Sequence, residues 1–210
     1  VNGTTGADLR RCRDLGCEDG LAAGLTAVLE GLDVAVEAPG GSALLPMASL
    51  EPGGAAGGAE MLPHPFAALE GLALVRFTAT GTGTGAGLTG LRAARLAAVR
   101  VGVLSALLDA AVERLTARRF GGVPLIEHQL VGGALADVVT EIEIASVDPA
   151  SGSAEAVWDQ HERLTEAGWA TTRLFGAEGY ITGHPVRALY LSSLASDLWL
   201  ARPGVPEGAR

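Results

Sequence analysis

LTGLRAARLAAVRVGVLSALLDAAVERLTARRF, residues 88–120, decides the fold. Leu91, Leu96, Val99, Val103, Leu107, Ala111 and Leu115 recur at close to 3.6 residues, so the stretch reads as one long helix with an unbroken apolar face. Phe120-Gly121-Gly122 and Pro124 stop it, because glycine accepts the left-handed turn after a helix and proline cannot continue one. Three more helical patterns follow. The first covers about 125–147, with Leu130, Ala134, Leu135, Val138, Val139 and Ile142 facing inward, and ends at Asp148-Pro149. The second starts at serine caps around 151–153 with Glu155 in its first turn and runs to Leu174, before Phe175-Gly176. The third is one or two helices over 186–200, after a turn at 180–185. Long helices joined by short loops specify an antiparallel bundle.

Upstream of this stretch the habit changes. Residues 1–90 hold most of the glycine and half of the proline, and short candidate strands at 32–37 and 72–78 alternate with loops such as EPGGAAGGA. The expected fold is therefore mainly α: a small, irregular β-rich region over 1–87, then a C-terminal antiparallel four-helix bundle over 88–210. Between the two lies TGTGTGAGLTG, residues 80–90, whose last six residues fit the Gly-x-Gly-x-x-Gly pattern that cradles a dinucleotide pyrophosphate. That fingerprint needs strand, turn, helix and a second strand carrying an acidic residue about 20 positions on. Asp109 has the distance but lies inside the long helix, and no second strand follows. The glycines read as a flexible strand-to-helix joint.

The totals set further bounds. A chain of 210 residues can bury roughly 70% of the surface its unfolded form exposes, enough for a real core. Its 15 basic residues against 24 acidic ones leave a net charge of −9 without any block of like charge, which argues against nucleic acid or an anionic membrane as the main partner. All the basic residues are arginine, so a P-loop lysine and a lysine Schiff base are excluded. Cys12 and Cys17 have no histidine nearby and indicate neither a zinc site nor a disulfide framework. With no apolar run of about 18 residues and no signal-like N-terminus, the expectation is a cytoplasmic protein that meets small molecules or other proteins.

Motifs for common chemistries are missing. His64, His128, His161 and His184 lack metal-ligand spacing and read as surface or packing residues, so no metal site is expected. Glu141 and Glu143 stand two apart and cannot share a helix face. No Gly-x-Ser-x-Gly occurs, and GGSALL at 40–45 lacks the strand-turn-helix context of a serine nucleophile.

Three segments in order resemble the C-terminal domain of the acyl-CoA dehydrogenase family. LSALLDAAVERLTARRFGGVPLIEHQLVGGALADVVTEIEIA (104–145) is similar to the family's helix ending in Arg-x-x-Phe-Gly, then Pro, then a Gln leading a helix with Leu-Ala-Asp. The matching residues are Arg118 or Arg119, Phe120, Gly121, Pro124, Gln129 and Leu135-Ala136-Asp137. RLFGAEGYITGHPVRALY (173–190) resembles the Gln-x-x-Gly-Gly-x-Gly-Tyr then Tyr-Pro-Val signature, with Arg173 in place of the glutamine and Ala177 in place of the second glycine. GAGLTGLRAAR (85–95) resembles the Gly-x-Gly run into Leu-x-x-x-Arg. VNGTTGADL at the start is similar to an Asn-Gly-Thr segment of the family's middle β-domain, and the family's first helical domain has no counterpart here.

The resemblance implies FAD-linked α,β-dehydrogenation of an acyl thioester on CoA or a carrier protein, in which a glutamate removes the α-proton. It places that glutamate at Leu200 or, in other members, at Ala94, neither of which accepts a proton. Asp197 and Glu178 are the remaining carboxylate candidates. For the cofactor it implies Arg118, Arg119, Phe120, Gln129, Arg173 and Gly176, with FAD shared across a subunit interface. The expected setting is a homo- or hetero-oligomer, most simply a complex with a homologous dehydrogenase subunit that supplies the base. The alternatives are a structural or regulatory subunit without redox chemistry, and a non-redox enzyme using His128 or His184 as acid or base.

Overall fold

The computed structural model describes residues 2–50, 59–77, 85–147, 153–181 and 183–200. In chain order, α1 (Asn2–Glu18), α2 (Gly20–Leu29) and the single turn α3 (Val34–Glu37) lead into strands β1 (Ser42–Pro46), β2 (Ala59–Leu62) and β3 (Leu72–Phe77). The long helix α4 (Gly90–Ala117) comes next, then two-residue strands β4 (Arg119–Phe120) and β5 (Val123–Pro124), and the helices α5 (Gln129–Ser146), α6 (Ala154–Leu174) and α7 (Arg187–Trp199).

Helices α4 to α7 are the bundle that the apolar periodicity predicts. Leu96, Val99, Val103, Leu107, Ala111 and Leu115 of α4 are all buried, as are Leu135, Val138 and Ile142 of α5. Leu91, Leu130 and Val139 are the exceptions: all three are exposed, the first two near helix starts and Val139 in the middle of α5, and Ala134 is only half-buried. The second helix begins four residues later than its pattern suggests, because residues 125–127 form a 3-10 turn before His128 takes an extended backbone. Ser153 caps α6, accepting the Ala156 N–H at 3.3 Å. Gly121 and Gly122, at φ +61° and +84°, form the tight turn between β4 and β5, a backbone that L side chains resist.

The N-terminal half differs from its expected β-rich character. Residues 2–18 and 20–29 form two helices, so residues 2–9 of the VNGTTGADL stretch lie on a helix and not on a β-domain segment. The candidate strand at 32–37 is instead α3, where Asp33 accepts the Val36 N–H at 3.3 Å and caps the turn. The glycines that suggest loops are contact points. A Cβ added to Gly102 of α4 would stand 2.0 Å from the Arg13 carbonyl oxygen, and one on Gly16 of α1 would stand 2.3 Å from that of Val99. Gly24 of α2 meets the Val99 side chain in the same way. Helix α1 thus crosses α4 with their backbones nearly touching, and packing outweighs the roughly 1 kcal/mol that a helical glycine costs.

The expected strand at 72–78 is present as β3, with Thr78 outside the described residues. It is the centre of an antiparallel sheet in the order β1-β3-β2, pairing Leu44 with Leu74 and Met61 with Val75. The sheet is tied to the bundle where the buried Trp199 indole donates to the Leu44 carbonyl at 3.0 Å. Buried apolar side chains run without a break from Leu21 and Leu25 through Leu44, Leu45 and Val75 to Leu96, Leu104, Leu191 and Trp199.

Candidate functional site

Three N–H groups of the glycine stretch that resembles a dinucleotide cradle are already bonded within the fold. The Gly85 and Gly87 N–H groups donate to the carbonyls of Val36 and Glu37 at 3.2 and 3.1 Å, and Leu88 donates to that of Trp199 at 2.7 Å. Residues 85–90 are therefore pinned to α3 and to the end of α7. They neither cradle a phosphate nor form a loose joint; residues 81–84 lie outside the described residues. Arg92, just inside α4, donates to the carbonyls of Val28 and Glu30 and satisfies the end of α2.

A cleft of about 420 Å³ opens instead at the far end of α4. Arg114 lies in the last turn of that helix and Arg118 is the extended residue that caps it, both at the negative C-terminal end that favours cations. Arg173, in the last turn of α6, lines the same cleft, as do Gly176, Ala177 and Glu178 of the 3-10 turn that follows. Leu115, Leu125, Leu174 and Phe175 supply an apolar lining. Gly176 has φ +62° with no atom near its missing Cβ, while Gly179 is buried, and a Cβ there would stand 2.6 Å from the Thr172 carbonyl oxygen. Three guanidinium groups thus face a single carboxylate, Glu178, which pairs with Arg114. Hydrogen bonding from Arg114 holds the Glu178 carboxyl below its ordinary pKa, helped by the charges of Arg114 and Arg118.

Three of the six residues that the resemblance assigns to a cofactor therefore meet in one place: Arg118, Arg173 and Gly176. The other three lie outside this lining. Arg119 donates to the Gly122 carbonyl at 2.9 Å within the small hairpin. Phe120 is 72% exposed, with its ring 6.0 Å from that of His128. Gln129 begins α5 and is exposed. The His128 Nε2 atom is buried without a hydrogen-bond partner among the described residues. His184 packs against Phe175, ring centroids 4.7 Å apart, and its Nδ1 accepts the Val186 N–H, leaving the proton on Nε2. Arg114 was not singled out from the sequence; its position one turn before Arg118 in a helix's last turns is the signal that identifies it.

The bundle interior holds a second polar group. Arg100 is 2% exposed and donates to Ser192 Oγ (3.1 Å), His161 Nδ1 and the His161 carbonyl (2.9 Å each), and Thr165 Oγ1 (2.7 Å). Burial lowers the Arg100 pKa to about 10, opposed by the fields of Asp197 and Glu162, so the group remains a cation at neutral pH. Burial and the facing guanidinium lower His161 to about 3, and its Nε2 lies 3.3 Å from the Ala93 carbonyl. His161 is thus a neutral packing residue, with Nδ1 accepting and Nε2 donating.

Both positions that the resemblance gives to the proton-abstracting glutamate are sealed. Ala94 is 0% exposed and Leu200 is 3% exposed. Beside Ala94, Arg95 pairs with Asp8 of α1 at 2.5 Å. Of the substitute carboxylates, Asp197 is exposed on α7 and Glu178 is held by Arg114. Among the described residues no cluster of three or more His, Cys, Asp or Glu could hold a metal ion, and no helix is long and apolar enough to cross a membrane.

Comparison with known proteins places the family resemblance on firm ground for one segment. Residues 81–147 match the family profile described as acyl-CoA dehydrogenase, C-terminal domain. No curated protein matches the chain. Among solved structures, a variant of the Tcur3481-Tcur3483 steroid ACAD shares 23% identity over 66% of this chain and 43% of its own, with a TM-score of 0.47. FkbI, for biosynthesis of the methoxymalonyl extender unit of the Fk520 polyketide, shares 25% identity over 66% of this chain and 45% of its own, at 0.46. A putative acyl-CoA dehydrogenase from Mycobacterium smegmatis shares 22% over 67% and 49%, at 0.43. The chain spans less than half the length of each of these structures.

Proposed function

From a chain that carries an acyl-CoA dehydrogenase C-terminal-domain segment at residues 81–147, we propose a subunit of an FAD-linked acyl-thioester dehydrogenase that lends a phosphate-binding wall and leaves proton abstraction to a homologous partner subunit. The observation that carries this reading is the convergence of Arg114, Arg118 and Arg173 around Gly176 in one cleft. Guanidinium groups present planar, paired donors suited to diphosphate oxygens, and Gly176 leaves room for a ligand to approach the backbone. The apolar lining from Leu115, Leu125, Leu174 and Phe175 suits the less polar part of such a ligand. These residues fit FAD's diphosphate better than any other group its chemistry contains.

A bound flavin would supply the hydride acceptor. The work of this chain is then to hold phosphate charge with Arg118 and Arg173 and to keep water from the apolar lining. No side chain at Ala94 or Leu200 takes a proton, and Glu178, held ionised against Arg114, serves the electrostatics of the cleft rather than the substrate. The base therefore comes from a second chain, on an acyl-CoA or acyl-carrier thioester bound to the oligomer.

The sealed base positions also favour a second reading, a structural or regulatory subunit without redox chemistry. Co-expression with a homologous dehydrogenase subunit separates the two. The first reading expects a yellow complex that reduces an electron-accepting dye with an acyl thioester only when both chains are present. A stable colourless complex that never reduces dye supports the second.

A further inference from the structure

Glu178 stands inside the arginine cleft as its one carboxylate, and nothing in the proposed chemistry uses it. It sits on a five-residue 3-10 turn, Gly176–Tyr180, anchored at Gly179 by close packing on the Thr172 carbonyl. The backbone under Glu178 is therefore fixed. Its side chain is not: half of it is exposed, against 20% for its partner Arg114. The carboxylate can turn into solvent about its own rotatable bonds while the guanidinium stays in the wall.

We propose that Glu178 is a built-in anion that competes with a phosphate-bearing ligand for Arg114 and Arg118, and so sets how strongly the cleft binds. The inference rests on the reading of the cleft as a phosphate-binding wall. With Glu178 turned in, three guanidinium charges are offset by one carboxylate; with it turned out, all three face the ligand. The class of ligand follows from this balance. A singly charged carboxylate offers Arg114 nothing that Glu178 does not already offer at higher effective concentration, whereas a diphosphate brings more charge and more acceptor oxygens than the side chain it displaces. The depressed Glu178 pKa agrees with its role as a permanent anion, and the charges that face it are Arg114 from α4 and Arg118 from the cap that follows it.

The test is the affinity of inorganic pyrophosphate for the full chain, by titration calorimetry at low ionic strength, where such charge effects are least screened. Glu178→Gln keeps the shape of the side chain and removes the charge, and should bind pyrophosphate about fivefold more tightly than the unaltered chain, the scale of one partly exposed ion pair. Glu178→Ala should show the same gain, which separates charge from packing. Equal or weaker binding in both variants overturns the proposal. Its failure is distinct from that of the cleft reading, which predicts that Arg118→Ala with Arg173→Ala abolishes pyrophosphate binding in either background. Absence of binding in every protein overturns both.

Discussion

Arg100 and Arg114 lie on the same helix, 14 residues or about four turns apart, and do opposite things with the same side chain. Arg100 is enclosed by α6 and α7, and four neutral acceptors around it satisfy the guanidinium. Arg114 lines an open cleft with two more guanidinium groups and one carboxylate. The difference lies in what surrounds each cation. A closed network of hydrogen bonds fixes how helices pack, whereas a surplus of positive charge at an opening is left available to a ligand.

The largest effect should come from breaking the closed end. Arg100→Ala leaves a cavity and strips the buried His161 Nδ1, Thr165 and Ser192 of their donor, so thermal or urea unfolding should show a loss of about 3 kcal/mol or more. Next is the crossing that holds α1 on α4. Gly102→Ala forces a methyl group into the Arg13 carbonyl and should cost about 2–3 kcal/mol in the same measurement. A third test uses pH. His161 is held near 3 in the fold against an ordinary 6.5, so the unfolded chain takes up the proton first. Its share of stability is complete above about 6.5 and is lost as pH falls from there towards 3, at a slope of about 1.4 kcal/mol per pH unit. The urea midpoint should fall across that window, and less steeply in His161→Gln. The smallest effect belongs to an exposed arginine. Arg163 pairs with Glu141 at 2.7 Å on the surface, and Arg163→Ala should change stability by less than about 0.5 kcal/mol.

The bundle was legible because periodic apolar residues bury one face of a helix wherever its partners lie. Leu96, Val99, Val103, Leu107, Ala111 and Leu115 are inside as their spacing requires. The helices at 2–29 were not legible. Gly16, Gly20 and Gly24 suggest turns by their local preference, and only the arrival of Val99 and Gly102 of α4 makes Gly16 and Gly24 sites of close packing. GAGLTG reads as a flexible joint for a related reason. Its glycines suggest freedom by local preference, but the Gly85 and Gly87 N–H groups have partners that sequence could not supply, the carbonyls of Val36 and Glu37. At the cleft, Arg118, Arg173 and Gly176 were readable through the family resemblance. Arg114 and Glu178 were paired only by the approach of the 176–180 turn to α4. Arg100 reads as a solvated position on a helix until α6 and α7 close over it.

On the proposed function, the cleft at the end of α4 holds the phosphates of a flavin shared with a partner subunit. That claim is tested most directly by the flavin absorbance of the co-purified complex, comparing the unaltered chain with one carrying both Arg118→Ala and Arg173→Ala. The expected result is a complex of unchanged size that loses about nine-tenths of its flavin, the scale of two weakened charge-assisted contacts. A doubly substituted complex that keeps its full flavin content would contradict the claim.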